Sequence, residues 1–84
     1  MNTANGRTVY HLVHRNADSR WHIAIENGKE VSDWATKQEA EQEGERIGGA
    51  HQQRGELAQL IVHRQDGSIE REYTYGKDPR RTPG

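Results

Sequence analysis

Residues 60–75, LIVHRQDGSIEREYTY, are the stretch that decides the fold. Two runs rich in β-branched and aromatic residues flank Asp66-Gly67, and this dipeptide predicts a β-hairpin with a two-residue loop. Counting outward from that loop sets the register of the two strands. The predicted cross-strand pairs are Gln65 with Ser68, His63 with Glu70, Val62 with Arg71, and Leu60 with Tyr73.

Alternation along this hairpin separates a core face from a charged face. The predicted core face holds Leu60, Val62, Ile69 and Tyr73, with Arg71 at its margin. The opposite face holds Ile61, His63, Glu70 and Glu72. An isoleucine among charged residues has the apolar centre and polar rim of an interaction surface, so we expect this face to contact another protein chain.

Three shorter strands are predicted before the helix. Residues 8–14, TVYHLVH, are β-branched and aromatic, and residues 20–26, RWHIAIE, alternate between apolar and polar positions. Asn27-Gly28 predicts a second two-residue hairpin loop of type I′. A third strand is therefore expected over residues 29–33, paired with the strand before it.

One helix is predicted in the middle of the chain. Thr36 and Glu39 have the spacing of a capping box, and Gly55 suits the position just after the helix. Small residues on one side predict that the helix backbone lies close to the sheet. The inward stripe is Ala40, Gly44, Ile47, Gly48 and His51.

These elements predict an α+β domain in the order β-β-(β)-α-β-β: a small antiparallel sheet of four to five strands with one helix packed on one face. The expected organisation is a flexible N-terminus over 1–7, a single domain over 8–75 and a basic C-terminal tail over 76–84. The residues expected to be buried beneath the helix are Trp21, Ile23, Leu60, Val62 and Ile69.

Composition excludes several classes of function. The chain has 84 residues, 12 basic and 13 acidic side chains and no cysteine, so it has no thiol nucleophile and no cysteine-ligated zinc site. It also lacks a G-x-S-x-G motif and a phosphate-binding loop, and we expect no enzymatic activity and no cofactor. No apolar run is long enough to span a membrane and no signal-peptide core is present, which predicts a cytoplasmic protein.

The histidines and aromatic residues carry two further hypotheses. His11 and His14 point to opposite faces of a strand, so they cannot easily share a metal ion. His22, His63, Glu70 and Glu72 lie on one predicted face but lack the spacing of a known metal site, and we expect no metal. Trp21 and Tyr73 alternate in phase with the core, which argues against a base-stacking platform.

Two charged sets are candidate contact surfaces. Glu41 and Glu45 lie on one outward face of the helix, where solubility and a match to the helix dipole are the favoured roles. The alternative is an acidic surface that docks on a basic protein site. The basic set could contact phosphates or an acidic partner, although a solubilising role of the tail is favoured because runs of charge on exposed termini are common. This set is Arg64, Arg71, Lys77, Arg80 and Arg81.

The order and spacing of short motifs over residues 9–79 resemble those of a bacterial and phage family catalogued as domain of unknown function 2188. The resemblance implies a compact helix-on-sheet domain and assigns no catalytic residues. His14 departs from the family pattern, which has proline there, and we expect the first strand to run one residue further. The motifs are Tyr10-His11-Leu12-Val13, Trp21-His22-Ile23, Thr36-Lys37 with Glu39-Ala40, Leu60-Ile61-Val62-His63-Arg64, Asp66-Gly67 with Ile69, and Tyr75-Gly76 with Asp78-Pro79.

The sequence thus favours a small, non-catalytic protein-interaction or regulatory module of bacterial or phage origin. Its partner is another protein of unknown identity, and self-association into a homodimer is left open because so thin a core is only marginally stable alone. The alternative is weak nucleic-acid binding through the basic C-terminal residues.

Overall fold

A computed structural model of the protein describes residues 7–76. Five strands and one helix follow one another along this part of the chain. The N-terminal segment predicted to be flexible, residues 1–7, ends one residue too late, because Arg7 already belongs to the first strand. The predictions for residues 1–6 and 77–84 lie outside the described residues. The elements are β1 (Arg7–Arg15), β2 (Arg20–Ile25), β3 (Glu30–Trp34), α1 (Lys37–Gln53), β4 (Leu57–His63) and β5 (Ile69–Tyr75).

The five strands form one sheet in the order β3-β2-β1-β4-β5, with α1 packed on one face. The predicted α+β class with one helix on one face is confirmed, but the fully antiparallel sheet is wrong, because β1 and β4 are parallel. The cause is topological. The β2–β3 hairpin occupies one side of β1, and α1 then crosses back over the sheet, so β4 enters on the other side of β1 in the same direction.

Both tight hairpin loops have three residues rather than the predicted two. The Arg64 amide donates to the Ser68 carbonyl at 2.7 Å, and the Gly67 amide donates to the Arg64 carbonyl at 2.9 Å. The β2–β3 loop repeats this pattern around Gly28. The left-handed φ angles of 96° at Gly67 and 100° at Gly28 follow a type I turn, so the type I′ prediction is wrong.

A bulge in β5 compensates for the extra loop residue. The predicted pairs of Leu60 with Tyr73 and Val62 with Arg71 are confirmed, but His63 pairs with Ile69, and Glu70 is inserted without a partner. The predicted pairs of His63 with Glu70 and Gln65 with Ser68 are therefore wrong. Because of the shift, Ile69 lies on the face away from α1 and is 50% exposed, so its assignment to the core is also wrong.

The core lies between α1 and the three central strands. Ile23, Leu60 and Val62 are buried as predicted, and Trp21 is partly buried at the edge of the cluster. Leu12 is fully buried as well, because it is on β1, which has a neighbouring strand on each side and the helix above. This strand runs through His14, which pairs with Trp21, to Arg15.

Both helix ends match their sequence signals. The Thr36 hydroxyl accepts from the Glu39 amide at 3.1 Å, and the Glu39 carboxylate accepts from the Thr36 amide, which is the predicted capping box. At the other end, the Gly55 amide donates to Gln52 and the Glu56 amide to His51, a Schellman motif that needs the left-handed φ of 76° at Gly55. The helix is thus fixed in length and position over the sheet.

Candidate interaction surface

The face of the sheet opposite α1 is not covered by any element of residues 7–76, and we call it the open face. Leu12, Ile23 and Leu60 are buried and point toward α1, so their neighbours along each strand point to the open face. The strand register then shows which of these residues lie beside one another. An apolar and imidazole centre is flanked by charged residues. The centre contains Val9, His11, Val13, Ala24, Ile61, His63 and Ile69.

Two histidines contact each other at the middle of the open face. His11 Nδ1 lies 2.9 Å from His63 Nε2, and His63 Nδ1 lies 3.0 Å from the Gly67 carbonyl oxygen. Because a carbonyl can only accept, His63 carries its proton on Nδ1 and accepts from His11 with Nε2. The pair thereby joins β1 to the β4–β5 loop, with the ring centroids 5.2 Å apart and the rings tilted by 32°.

Carboxylates and arginines form the rim of the open face. Glu72, on the face where it was predicted, pairs with Ile61 across β4 and β5 and accepts from the side-chain amide of Gln59 at 2.9 Å. Glu26 lies 3.7 Å from His11 Nε2. At the other end of β1 and β2 lie two arginines. Arg15 lies 3.7 Å from Glu30, and Arg20 lies 3.4 Å from Asp33.

His22 lies on this side of the sheet as predicted, but its burial and its carboxylate partners were not predicted. His22 is only 4% exposed, and its two ring nitrogens lie 2.8 Å from Asp18 Oδ2 and 3.0 Å from Glu30 Oε2. Asp33 is its cross-strand partner on β3. Partial desolvation raises the pKa of Asp18, but hydrogen bonds from the Arg20 amide and His22 outweigh it, so this pKa lies below its usual value. Counting outward from the predicted Asn27-Gly28 loop pairs His22 with Asp33, as observed, so this contact could have been found in the sequence.

A sequence profile described as "Uncharacterized protein conserved in bacteria (DUF2188)" matches residues 10–75. The chain belongs to this family. Neither the curated proteins nor the solved structures contain a match to it. Within residues 7–76, α1 is too short and too polar to cross a membrane. The resemblance stated from the sequence motifs is thus confirmed over most of the chain.

In this DUF2188 member, Glu70 does not belong to the open face, in contrast to the prediction. The bulge turns its carboxylate toward the start of α1, where it forms an ion pair with Lys37. This contact lowers the pKa of Glu70 below 4.5. The Lys37 ammonium also lies 5.6 Å from the centre of the Trp21 ring, which links the bulge to the helix and the sheet.

The described members of the basic set are engaged within the hairpin. Arg64 donates to the Ser68 hydroxyl and the Ile69 carbonyl, and Arg71 donates to the Tyr73 hydroxyl at 3.0 Å. These contacts hold both guanidinium groups against the hairpin and do not by themselves favour nucleic-acid binding. The other members, Lys77, Arg80 and Arg81, lie outside the described residues, so nucleic-acid binding through the tail stays a prediction.

Glu41 and Glu45 lie along the side of α1 that is nearest to β5. The Tyr73 hydroxyl and, more weakly, the charges of Glu70 and Glu41 raise the pKa of Arg71. Burial is the main cause that raises the pKa of Tyr75, and the charge of Glu45 adds to it. The acidic helix surface therefore borders the β5 edge of the sheet and is separate from the open face.

Proposed function

We propose that this DUF2188 protein is a small, non-catalytic protein-interaction module whose open face docks on a second copy of the same chain. The observation that carries the proposal is the uncovered side of the sheet. One helix protects one face, whereas on the other Val13 and Ile61 are partly exposed and Ile69, on the edge strand β5, is half exposed. An apolar patch inside a polar rim is the usual anatomy of a protein interface.

The distribution of charge on the open face favours a second copy as the occupant. Glu26 lies beyond one end of β2, and Arg20 lies at the other end of the same strand. Arg15 is beside Arg20 at the end of β1. Two copies that stack face to face with their strands running in opposite directions bring Glu26 of one over Arg15 and Arg20 of the other. Each arginine already pairs with a carboxylate of its own chain, Glu30 or Asp33, so Glu26 would add a second carboxylate to these pairs. Such an arrangement satisfies two-fold symmetry, because each copy supplies the same patch.

The size of the open face predicts a weak dimer. Five strands spaced by about 4.8 Å, each of about six residues at 3.3 Å, cover roughly 500 Å² in projection. A stable interface buries about 800 Å² on each partner, so this face is at the lower end of the range. Association should therefore depend on concentration rather than produce a permanent dimer.

Two acidic helix surfaces face outward in such a dimer. The sheets meet in the middle, so α1 of each copy lies on the outside with Glu41 and Glu45 along its β5 side. These carboxylates then offer two identical sites for a basic partner protein. The charge would mainly increase the rate of association with that partner.

Sedimentation velocity over a range of concentrations tests the proposal. The wild-type protein should shift from monomer toward dimer, and Ile61→Glu should remain monomeric while retaining its circular dichroism and thermal unfolding. Gln42→Glu adds the same charge on the exposed surface of α1 and should dimerise like the wild type. If Ile61→Glu does not fold, Ile69→Glu places the charge on a side chain that is already half exposed. A wild-type protein that stays monomeric at every concentration, or a dimer that survives these open-face variants, would overturn the proposal.

A further inference from the structure

Three side chains of types that commonly bind metals come from separate segments and meet at one side of the open face. Asp18 is in the β1–β2 turn, His22 is on β2 and Asp33 is on β3, and their ligand atoms lie within 4.8 Å of one another. No signature spacing in the sequence links them, because the register of β3 brings Asp33 into place. The set has one imidazole nitrogen and two carboxylate oxygens.

The surroundings of His22 place a carboxylate oxygen at each nitrogen of one imidazole ring. A neutral imidazole has one N–H group. If Nδ1–H donates to Glu30 at 3.0 Å, the lone pair of Nε2 points at Asp18 Oδ2, another acceptor, only 2.8 Å away. The side chain of His22 is only 5% exposed, so water cannot readily separate the two atoms. Either a second proton or a metal ion must lie between them.

The contact of His22 with Glu30 resembles the hydrogen bond that supports a metal-bound histidine from behind. Metal-bound histidines usually donate their other ring N–H to a carboxylate, which fixes the tautomer, and Glu30 occupies that position for His22. The Asp18 carboxylate is also oriented, because its Oδ1 accepts from the Arg20 amide at 3.0 Å and leaves Oδ2 facing the ring. Ser19, with a left-handed φ of 56°, turns the chain so that Asp18 lies over His22. The Arg20 side chain, 3.4 Å from Asp33, is half exposed and can move aside.

We infer that Asp18, His22 and Asp33 bind a divalent transition-metal ion such as Zn²⁺, with Glu30 as the outer carboxylate that orients His22. One nitrogen and two oxygens suit a borderline metal better than Mg²⁺ or Ca²⁺, which prefer oxygen ligands alone. Bonds of about 2.1 Å place tetrahedral ligands about 3.4 Å apart, so Asp18 must move from His22 by about half an ångström. Water would complete the coordination.

Titration calorimetry of the full chain with Zn²⁺ tests this inference, with Mg²⁺ as the oxygen-preferring comparison. We expect one Zn²⁺ per chain, a rise in melting temperature with Zn²⁺ concentration and no response to Mg²⁺. Asp18→Asn and His22→Gln should abolish Zn²⁺ binding. His63→Gln removes a histidine from the same face and should leave Zn²⁺ binding unchanged.

Three results would contradict the inference. These are no heat of Zn²⁺ binding in the wild type, Zn²⁺ binding that persists in Asp18→Asn, and Zn²⁺ binding lost in His63→Gln alone. Asp18 is exposed in the turn, so its variant remains informative even if His22→Gln fails to fold. Repeating the titration on Ile61→Glu separates metal binding from dimerisation.

Discussion

Gly48 of α1 lies directly against the aromatic ring of Tyr75 on β5. A Cβ atom at Gly48 would come within 2.3–2.6 Å of three ring carbons, distances that real Cβ atoms do not reach. One turn earlier, a Cβ at Gly44 would lie 2.7 Å from the Leu60 side chain. The helix can approach the sheet this closely only because its inner stripe contains glycine. Gly49, the next residue, has nothing within 4 Å of its would-be Cβ.

Gly48→Ala and Gly49→Ala should therefore have opposite effects on stability. Alanine favours a helix over glycine by about 1 kcal/mol, and Gly49→Ala should gain about 0.5–1 kcal/mol. Gly48→Ala gains the same propensity but forces the Tyr75 ring away, at a cost of about 1–3 kcal/mol. Urea unfolding monitored by circular dichroism measures both. Equal stabilisation by the two variants would show that α1 does not touch β5 at Gly48.

Local signals in the sequence predicted both helix ends and part of the core. Thr36, Glu39 and Gly55 act through hydrogen bonds between neighbours in the chain, so their pattern is sufficient to locate α1. The pairing of Leu60 with Tyr73 was also correct, but for a partly wrong reason. The third loop residue shifts the register by one, and the bulge at Glu70 shifts it back. An Asp-Gly pair is compatible with both loop lengths, so the sequence could not distinguish them.

The candidate sites were harder to predict than the fold. Ile61 and Glu72 were placed on the open face by alternation alone, whereas Glu70 and Ile69 were misplaced because each lies at or beside the bulge. The contact of His22 with Asp18 and Asp33 depends on how a turn closes over the sheet and on the register of β3. No local pattern shows the turn that brings Asp18 to His22, whereas counting outward from Asn27-Gly28 already pairs His22 with Asp33. The parallel pairing of β1 with β4 was missed because it depends on the whole chain path.

Leu60→Ala and Ile69→Ala test the corrected hairpin register. Leu60 is 2% exposed beneath Gly44, and its truncation should cost about 2–5 kcal/mol. Ile69 is half exposed on the open face, so its truncation should change the stability of the monomer by no more than about 0.5 kcal/mol. Unfolding at a dilution that keeps the protein monomeric gives both values. A large loss of stability in Ile69→Ala would show that Ile69 belongs to the core and that the corrected register is wrong.

The ion pair between Glu70 and Lys37 should contribute to the acid sensitivity of the fold. The hydrogen bond from Lys37 is the main cause that lowers the pKa of Glu70 below 4.5 in the folded state. The unfolded chain therefore binds a proton first as the pH falls, and the stabilisation, which is present above pH 4.5, is lost as the pH drops through the folded pKa.

Lys37→Met should make the acid limb of the stability curve less steep. The lost contact with Trp21 lowers stability equally at every pH, so the slope isolates the effect of Glu70. Lys29→Met removes an exposed lysine from the β2–β3 turn and should leave the slope unchanged. Thermal unfolding at a series of pH values below neutrality measures the slopes, and identical slopes in Lys37→Met and the wild type would contradict the assignment.

Tyr10 connects the sheet to the end of α1 through a chain of hydrogen bonds. Its hydroxyl lies 2.7 Å from His51 Nε2, and His51 Nδ1 lies 2.8 Å from a Glu56 carboxylate oxygen. Because the carboxylate accepts, His51 carries its proton on Nδ1 and accepts from Tyr10 with Nε2. Burial is the main cause that raises the pKa of Tyr10 above 10.0. The positive charge of Arg54 lowers this pKa and the negative charge of Glu56 raises it, but both effects are smaller than that of burial.

Alkaline pH should therefore destabilise the fold through Tyr10. Because the folded pKa is raised, the stabilisation is complete below pH 10.0 and is lost as the pH rises through the folded value. Tyr10→Phe should cost about 0.5–1.5 kcal/mol at neutral pH, since it leaves His51 without its donor, and should make the alkaline limb less steep. Tyr75→Phe, which keeps the ring against Gly48, should leave the neutral-pH stability closer to that of the wild type. Phenolate absorbance during a pH titration of the folded protein checks the shift directly, and a Tyr10 signal that titrates at 10.0 or below would contradict the hydrogen-bonded arrangement.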